Sequence, residues 1–320
     1  MKKNIDINKL VPFISLIIMF VLFTILTKGR MMTPFNLSSL IDQTVVLIIA
    51  CCGTLFVSAQ GRTDLSVGVT CALAAVLGDL AYRATSSTLM MVIVAVLVGI
   101  AMGLLNGFLT AICKVPSFMA TLALLIGVRG IINYIQTIVS VNYASPQLLK
   151  LSENYVKFPV LIAIVIVFGY LFEYTKIGRY SKAIGENEVV ARYVGIPVIK
   201  TKITAFVLSG LTAAIASLFL VARLGGTSTT MGTFFEMKVM TAIYVGGVLV
   251  RGGETARTYK ALIGAFVVMI IENGLKIMGY ASSEVSEAVQ GILLMIILFL
   301  TIYFEAHSTG SKKIVKVKEN

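Results

Sequence analysis

Charge is scarce in this sequence. Asp, Glu, Lys and Arg together make up 13% of its 320 residues, and 58% are hydrophobic. A soluble domain carries about 25% charged residues, so the composition is that of a membrane protein. Tryptophan is absent, and the one histidine, His307, lies beyond the last apolar run. No His-based catalytic or metal site inside the membrane is therefore available, and no metal is expected on this chain. The four cysteines, Cys51, Cys52, Cys71 and Cys113, sit in apolar segments without CxxC spacing. They read as small buried hydrophobes. No GxxxxGK[ST] sequence occurs, so the chain does not hold ATP in a P-loop. GxSxG, HExxH and EF-hand loops are also missing. The chain is not expected to be an enzyme, and its energy source must be a partner or an ion gradient.

What is present is a series of apolar runs. A membrane span needs about 20 such residues, with a range of about 17–25. Ten candidates meet or approach this: 11–27, 40–59, 64–82, 88–112, 117–136, 157–174, 203–222, 236–250, 260–278 and 285–304. The run 40–82 is interrupted only by Gln60-Gly61-Arg62-Thr63-Asp64. It is two spans, or one span plus a broken helix. The segment 236–250 is short: it is a span or a re-entrant segment. The N-terminal run follows Lys2-Lys3 like a signal peptide, but Lys28-Gly29-Arg30-Met31 replaces a small-residue cleavage pattern. It is read as a retained first span.

The net charge is +12. Its basic residues are distributed between apolar runs and do not form one patch with aromatics, so no nucleic acid partner is expected. They read as topology determinants and contacts with the lipid bilayer. Ten spans with the N-terminus inside put 18 of the 27 basic residues on the cytoplasmic side, as the positive-inside rule requires. The division is then a cytoplasmic N-terminus 1–10, a transmembrane region 11–304 and a cytoplasmic basic tail 305–320. Asn106-Gly107 late in the fourth run and Asn273-Gly274 late in the ninth are one hint of an inverted repeat. The fold class is all-α: a polytopic helical membrane protein of about ten transmembrane helices, with a candidate inverted internal repeat.

Four segments carry more detail. Thr175–Lys202 holds six Lys/Arg and two Glu between long apolar runs, and so is a cytoplasmic loop. Within it stand Gly178-Arg179, Gly185-Glu186-Asn187, Ala191 and Gly195. The second segment is Gly61-Arg62-Thr63-Asp64-Leu65-Ser66-Val67-Gly68, where Asp64 is placed to cap the third span; a role at a translocation path is the other reading. The third runs from Asn106-Gly107 through Val115-Pro116-Ser117-Phe118-Met119-Ala120-Thr121-Leu122 to Arg129-Gly130. Pro116 suits a helix start, and Arg129 must pair, snorkel or face a wet cavity. The fourth holds Ala222-Arg223, a Ser/Thr-rich stretch to Gly232, then Glu236 and Gly246-Gly247. Glu236 is expected to cap the eighth span or pair with Lys238 or Arg223. The Gly pair permits close helix approach.

These segments, in this order over residues 40–304, resemble the permease subunits of ABC importers of the ribose/galactose-type simple-sugar family. The first resembles the coupling loop that docks into a partner ATPase. The second is similar to Gly-Gly-Ile-Asp-Leu-Ser-Val-Gly, from which Arg62 and Thr63 depart. Leu249 and Thr255 depart from the family near the Gly pair. The resemblance implies a simple-sugar permease of the bacterial cytoplasmic membrane with cytoplasmic termini, working as a dimer with a second copy or a paralogue. It implies an ABC ATPase holding ATP and Mg, and an extracytoplasmic sugar-binding protein. Gly178, Arg179, Gly185, Glu186, Asn187, Ala191 and Gly195 would couple to the ATPase, with Glu186 and 188–193 in its groove.

Ser66, Asn106, Thr121, Arg129 and Asn273 are candidates for the cargo path, with helix–helix hydrogen bonding as the other reading. The path is expected to be polar but weakly charged, since a sugar is neutral. Nucleosides or furanones are alternative cargoes. An ion-coupled transporter, using Asp42, Asp64, Glu236 or Glu272, is the competing mechanism.

Overall fold

A computed structural model describes residues 7–139 and 144–280, together with positions 285, 288, 289, 291, 292, 294–296 and 299. The expected tenth span and the basic tail fall largely or wholly outside the described residues. Twelve helices are described between residues 7 and 280: α1 (Ile7–Leu26), α2 (Pro34–Ser58), α3 (Val67–Thr85), α4 (Thr88–Ala111), α5 (Ser117–Ile138), α6 (Pro146–Leu149), α7 (Asn154–Tyr174), α8 (Lys176–Glu186), α9 (Glu188–Tyr193), α10 (Val198–Leu224), α11 (Phe235–Val245) and α12 (Thr258–Ile277).

Nine of these coincide with the first nine apolar runs. Their boundaries follow local chemistry. Pro34 fixes the first turn of α2, and Ser87 accepts the Met90 N–H at the start of α4. Gly225, at φ 77°, ends α10 in a left-handed turn.

Six helices, α2, α3, α4, α5, α7 and α10, are long and apolar enough to cross a membrane. The chain is therefore a polytopic helical membrane protein, and the count of about ten is not reached among the described residues. The reasons are local. The apolar part of α1 is Pro12–Leu26, α11 has 11 residues, and α12 carries Lys260, Glu272 and Lys276.

Hydrogen bonds define the two ends of the bundle. At one end Gln60, just past α2, donates to Ser181 of α8 and to the carbonyl of Thr201 in α10. Glu173 of α7 there accepts from Lys182, Arg257 and Thr258. At the other end Lys157 of α7 pairs with Asp42 of α2, and Thr88 of α4 bonds Ser145.

Burial separates centre from periphery. The apolar windows of α2 and α10 are 83% and 78% buried, those of α7 and α5 only 17% and 22%. Outward Ile126, Ile131, Ile162 and Ile166 are exposed, a surface that hydrocarbon rather than water tolerates.

The most extensive helix contact joins α4 to α10. Gly99, Gly103 and Gly107 recur every four residues along α4 and form one stripe. A Cβ on Gly99 would strike the Gly210 carbonyl, and one on Gly210 would strike the Gly99 carbonyl. At Gly107 it would lie 2.8 Å from the Ile203 Cα. By contrast a Cβ on Gly130 of α5 meets nothing within 4 Å. Gly99→Ala is therefore expected to destabilise the protein by about 1–3 kcal/mol through overpacking, whereas Gly130→Ala is neutral or slightly stabilising. Thermal melting in detergent checks the contrast, and equal melting temperatures would contradict it.

Candidate functional site

The chain between α2 and α3 turns back into the bundle. Gln60 meets Thr201, near the first residue of α10, whereas Asp64 meets Ser209. Ser209 is eight residues past Thr201, about 12 Å along the axis of α10 at about 1.5 Å per residue. The four residues from Gln60 to Asp64 can reach about 13 Å at about 3.3 Å each. So α3 begins inside the bundle, which favours the broken-helix reading of residues 40–82.

Five buried polar side chains meet there. Asp64 Oδ1 accepts from the Ser66 N–H at 3.0 Å and the Ser66 hydroxyl at 2.7 Å. Asp64 Oδ2 accepts from the Ser209 hydroxyl at 2.8 Å. The Asn106 amide donates to Ser66 Oγ at 2.7 Å, and Thr54 Oγ1 lies 3.2 Å from Ser209 Oγ. Each residue is at most 2% exposed. The cap position of α3 is Ser66, not Asp64. Asp64 acts two residues earlier, where it fixes the turn and bridges to α10. Thr54 and Ser209 escaped the sequence reading, although a hydroxyl inside an apolar run is the signal that could have raised them.

The second break precedes α11. Residues 225–234 leave the end of α10 and return to α3. A Cβ on Gly232 would strike the Gly68 carbonyl, and one on Gly68 would strike the Gly232 carbonyl and Glu236 Oε2. The N-terminal ends of α3 and α11 thus face each other. Arg129 of α5 holds the loop by donating to the Met231 carbonyl at 2.8 Å. Glu236 is buried in the first turn of α11, and its Oε2 lacks a hydrogen-bond partner. It pairs with neither Lys238 nor Arg223, because Lys238 reaches across to Glu272 at 2.8 Å.

The other predicted residues are dispersed. Thr121 is fully buried and bonds back to the Ser117 carbonyl at 2.8 Å. Pro116 takes the cap position before α5, with φ −53° and ψ 132°. Asn273 donates to Asn36 Oδ1 at 2.9 Å, tying α12 to α2. Gly246 lies against the Lys260 carbonyl, a close helix approach as expected. Gly247 is instead a turn residue at φ 87°, whose carbonyl accepts from Lys260 at 2.9 Å.

The segment 175–202 folds as α8 and α9 against one end of the bundle. Gly178 and Gly185 are contact residues: a Cβ would strike the Phe172 carbonyl at the first and the Ala59 carbonyl at the second. Glu186 Oε1 accepts the Glu254 N–H at 2.8 Å. It is thereby engaged with its own chain, because the turn at Gly252-Gly253 presents a backbone N–H to it. Asn187 caps α9, accepting from Val189 and Val190 at 3.0 Å each. Ala191 packs with Ile184 and Val198. Gly195 is a left-handed turn at φ 83°, and Arg179 is exposed.

Glu188 closes the clamp. It accepts from Lys202 at 2.7 Å, Arg62 at 3.0 Å and Arg192 at 3.3 Å. Partial burial alone would raise its carboxyl, but the Lys202 bond and charge and the Arg62 charge outweigh this and hold it below the ordinary 4.5. A lowered carboxylate stabilises the fold fully above its unfolded value and loses that contribution as pH falls through the lowered one. The clamp should thus be equally firm at pH 7 and pH 6, and loosen only well below 4.5. Hydrogen–deuterium exchange over 187–197 should be flat between those two pH values in the wild type once corrected for intrinsic rates. It should rise several-fold in Glu188→Gln at either pH. An onset of loosening near pH 6 would contradict this.

A family described as "Branched-chain amino acid transport system / permease component" matches residues 36–298. The ribose import permease protein RbsC of Escherichia coli (strain K12) is 32% identical over 285 residues, covering 84% of this chain and 87% of that protein. The L-arabinose transport system permease protein AraH of the same strain is 33% identical over 271 residues, covering 82% and 80%. The fructose import permease protein FrcC of Rhizobium meliloti is 28% identical over 284 residues, covering 84% and 78%. No solved structure matches this chain. The broken helices, the clamped loop and these similarities converge, and the chain belongs to the branched-chain amino acid transport system permease component family.

Proposed function

We propose that this chain is the membrane-spanning subunit of an ABC importer that translocates a simple sugar. The named relatives are permeases for ribose, arabinose and fructose, which supports both transport and the class of cargo. One observation of this chain carries the reading. The surface of α9 presents Val189, Val190, Tyr193 and Val194 outward, with Tyr193 86% exposed. Four large apolar groups on a polar loop, held rigidly by the Glu188 clamp, suit docking to a partner. That partner is a separate ATPase, which would hold ATP and Mg. The coupling surface is then α9 itself. Glu186, Gly178 and Gly185 act by fixing its position on the body.

The end bearing α8 and α9 is taken as cytoplasmic, which puts the α10–α11 loop and the start of α2 on the outer face. An extracytoplasmic binding protein would deliver cargo there, with a second permease copy or paralogue completing the path. Nine helices plus the apolar run 285–304 make up the proposed ten spans. Helix packing supports the inverted repeat. When spans five apart are exchanged, the contacts α4–α10, α3–α4 and α3–α10 have counterparts α12–α2, α11–α12 and α11–α2. Under alternating access, motion of α9 reaches α10 through Lys202 and reaches the α2–α3 break through Arg62. The buried Asp64 cluster would transmit it to α4.

Two experiments test this. With a co-expressed ATPase, Tyr193→Ala and Val190→Asp should lower substrate-stimulated ATP hydrolysis at least tenfold without reducing membrane insertion. Unchanged hydrolysis in both would remove the coupling assignment. For orientation, Phe35→Cys should react with an impermeant thiol reagent in intact cells, and Tyr193→Cys only after permeabilisation. Both side chains are exposed, and Cys113, the exposed native thiol, is replaced by Ser. The reverse pattern would invert the topology.

A further inference from the structure

At the end of the bundle opposite α9, a cavity of about 270 Å³ opens between α2, α10, α11 and α12 under the 225–234 loop. It adjoins a second recess of about 360 Å³, and Gln43 and Arg223 line both. At about 30 Å³ per water, the first alone holds about nine waters, the space of a monosaccharide-sized solute.

Among the described residues its charges do not cancel. Lys238 and Lys276 both bond the buried carboxylate of Glu272 at 2.9 and 2.7 Å. That cluster keeps one positive charge over. Arg223 adds another; it lies in the field of Glu272 and Asp42 but bonds neither. Asp42, at the edge, is already held by Lys157. Arg223 makes no hydrogen bond or ion pair with any described residue, although it lines three adjoining cavities. A guanidinium carries five donors in a planar fork that matches a carboxylate or a phosphate. The hydroxyls of Ser228, Thr230 and Thr233 stand on the loop side of the same cavity. A neutral sugar would use those hydroxyls and leave the excess charge unanswered. The expectation of a weakly charged path does not describe this chamber.

We propose that this cavity binds a simple sugar bearing an anionic group, a carboxylate or a phosphate, with Arg223 receiving the anion. The inference rests on the sugar-importer reading and narrows its cargo. Lys238 and Lys276 supply the supporting field while keeping Glu272 neutralised, and the loop hydroxyls receive the sugar ring.

The test is direct binding to the full-length chain in phosphatidylcholine nanodiscs, with D-galacturonate, glucose 6-phosphate and D-galactose as probes. At least one charged sugar should bind, at least tenfold more tightly than galactose, and which of the two binds separates carboxylate from phosphate. Arg223→Gln should remove that preference without moving the melting temperature, and Arg223→Lys should restore part of it. Equal binding of galactose, no binding of either charged sugar, or a preference that survives Arg223→Gln would overturn the proposal. Displacement of the charged sugar by phosphatidylglycerol added to the nanodiscs would assign the anion site to a lipid headgroup and also overturn it. The importer reading fails separately. Anion binding without ATPase coupling would remove the importer and keep the site, whereas coupling without anion preference would do the reverse.

Discussion

Backbone polar groups inside a bilayer must be satisfied by the protein, because hydrocarbon offers them nothing. This chain breaks its helices at two places that reach into the bundle, before α3 at buried Asp64 and before α11 at buried Met231 and Gly232, and the contacts around those breaks answer that constraint. The first break is held by Asp64, whose two oxygens accept from Ser66 and Ser209. The second is held by Arg129, which reaches from α5 to the Met231 carbonyl. The two breaks touch through Gly68 and Gly232, where neither position has room for a side chain. Half-helices meeting end to end give a polar point at the centre of an apolar bundle, and in transporters such points are where cargo and conformational change come together.

The glycine stripe on α4 and the ion pairs around Glu188 serve this arrangement from two sides. Close approach of α4 to α10 brings Asn106 and Ser209 to the same cluster. Without that contact the Asp64 carboxylate would be buried with fewer partners, at a cost of several kcal/mol. Arg62 lies two residues before Asp64 and also bonds Glu188. The loop end and the buried cluster therefore share one short stretch of chain. A displacement of α9 cannot leave the α2–α3 break where it is unless that ion pair opens.

Much of this was legible in the sequence. Apolar run length located nine helices with ends within six residues, and Gln60–Asp64 marked an interruption that left two spans or a broken helix open until the Asp64–Ser209 bond placed the start of α3 inside the bundle. Asn106 and Ser66 were singled out as polar groups within apolar surroundings, and they bond each other. What stayed hidden was tertiary. Ser209 and Thr54 are ordinary hydroxyls until α10 and α2 bring them to Asp64. The family resemblance put Glu186 in the ATPase groove, and in the fold it is bonded to the backbone of Glu254, 68 positions away. The family resemblance assigned Gly185 to ATPase coupling, and in the fold it is a packing contact against the Ala59 carbonyl. Lys238 and Glu272 are 34 residues apart and reveal their pairing only once α11 lies along α12.

The two ends of the bundle use charge differently, and this separates support from recognition. Near α9 each buried or half-buried cation bonds a carboxylate. Lys182 bonds Glu173, and Lys202 and Arg62 bond Glu188, so that end is a fixed frame that leaves an apolar outer face. At the opposite end Lys238 and Lys276 likewise share Glu272, but Arg223 has no bonded counter-charge among the described residues. A guanidinium left unbonded beside an open cavity keeps its fork of donors free for a carboxylate or a phosphate. A frame that needs rigidity completes its ion pairs internally. A chamber that must admit and release a solute leaves one incomplete, and the solute's own charge then becomes part of the selectivity.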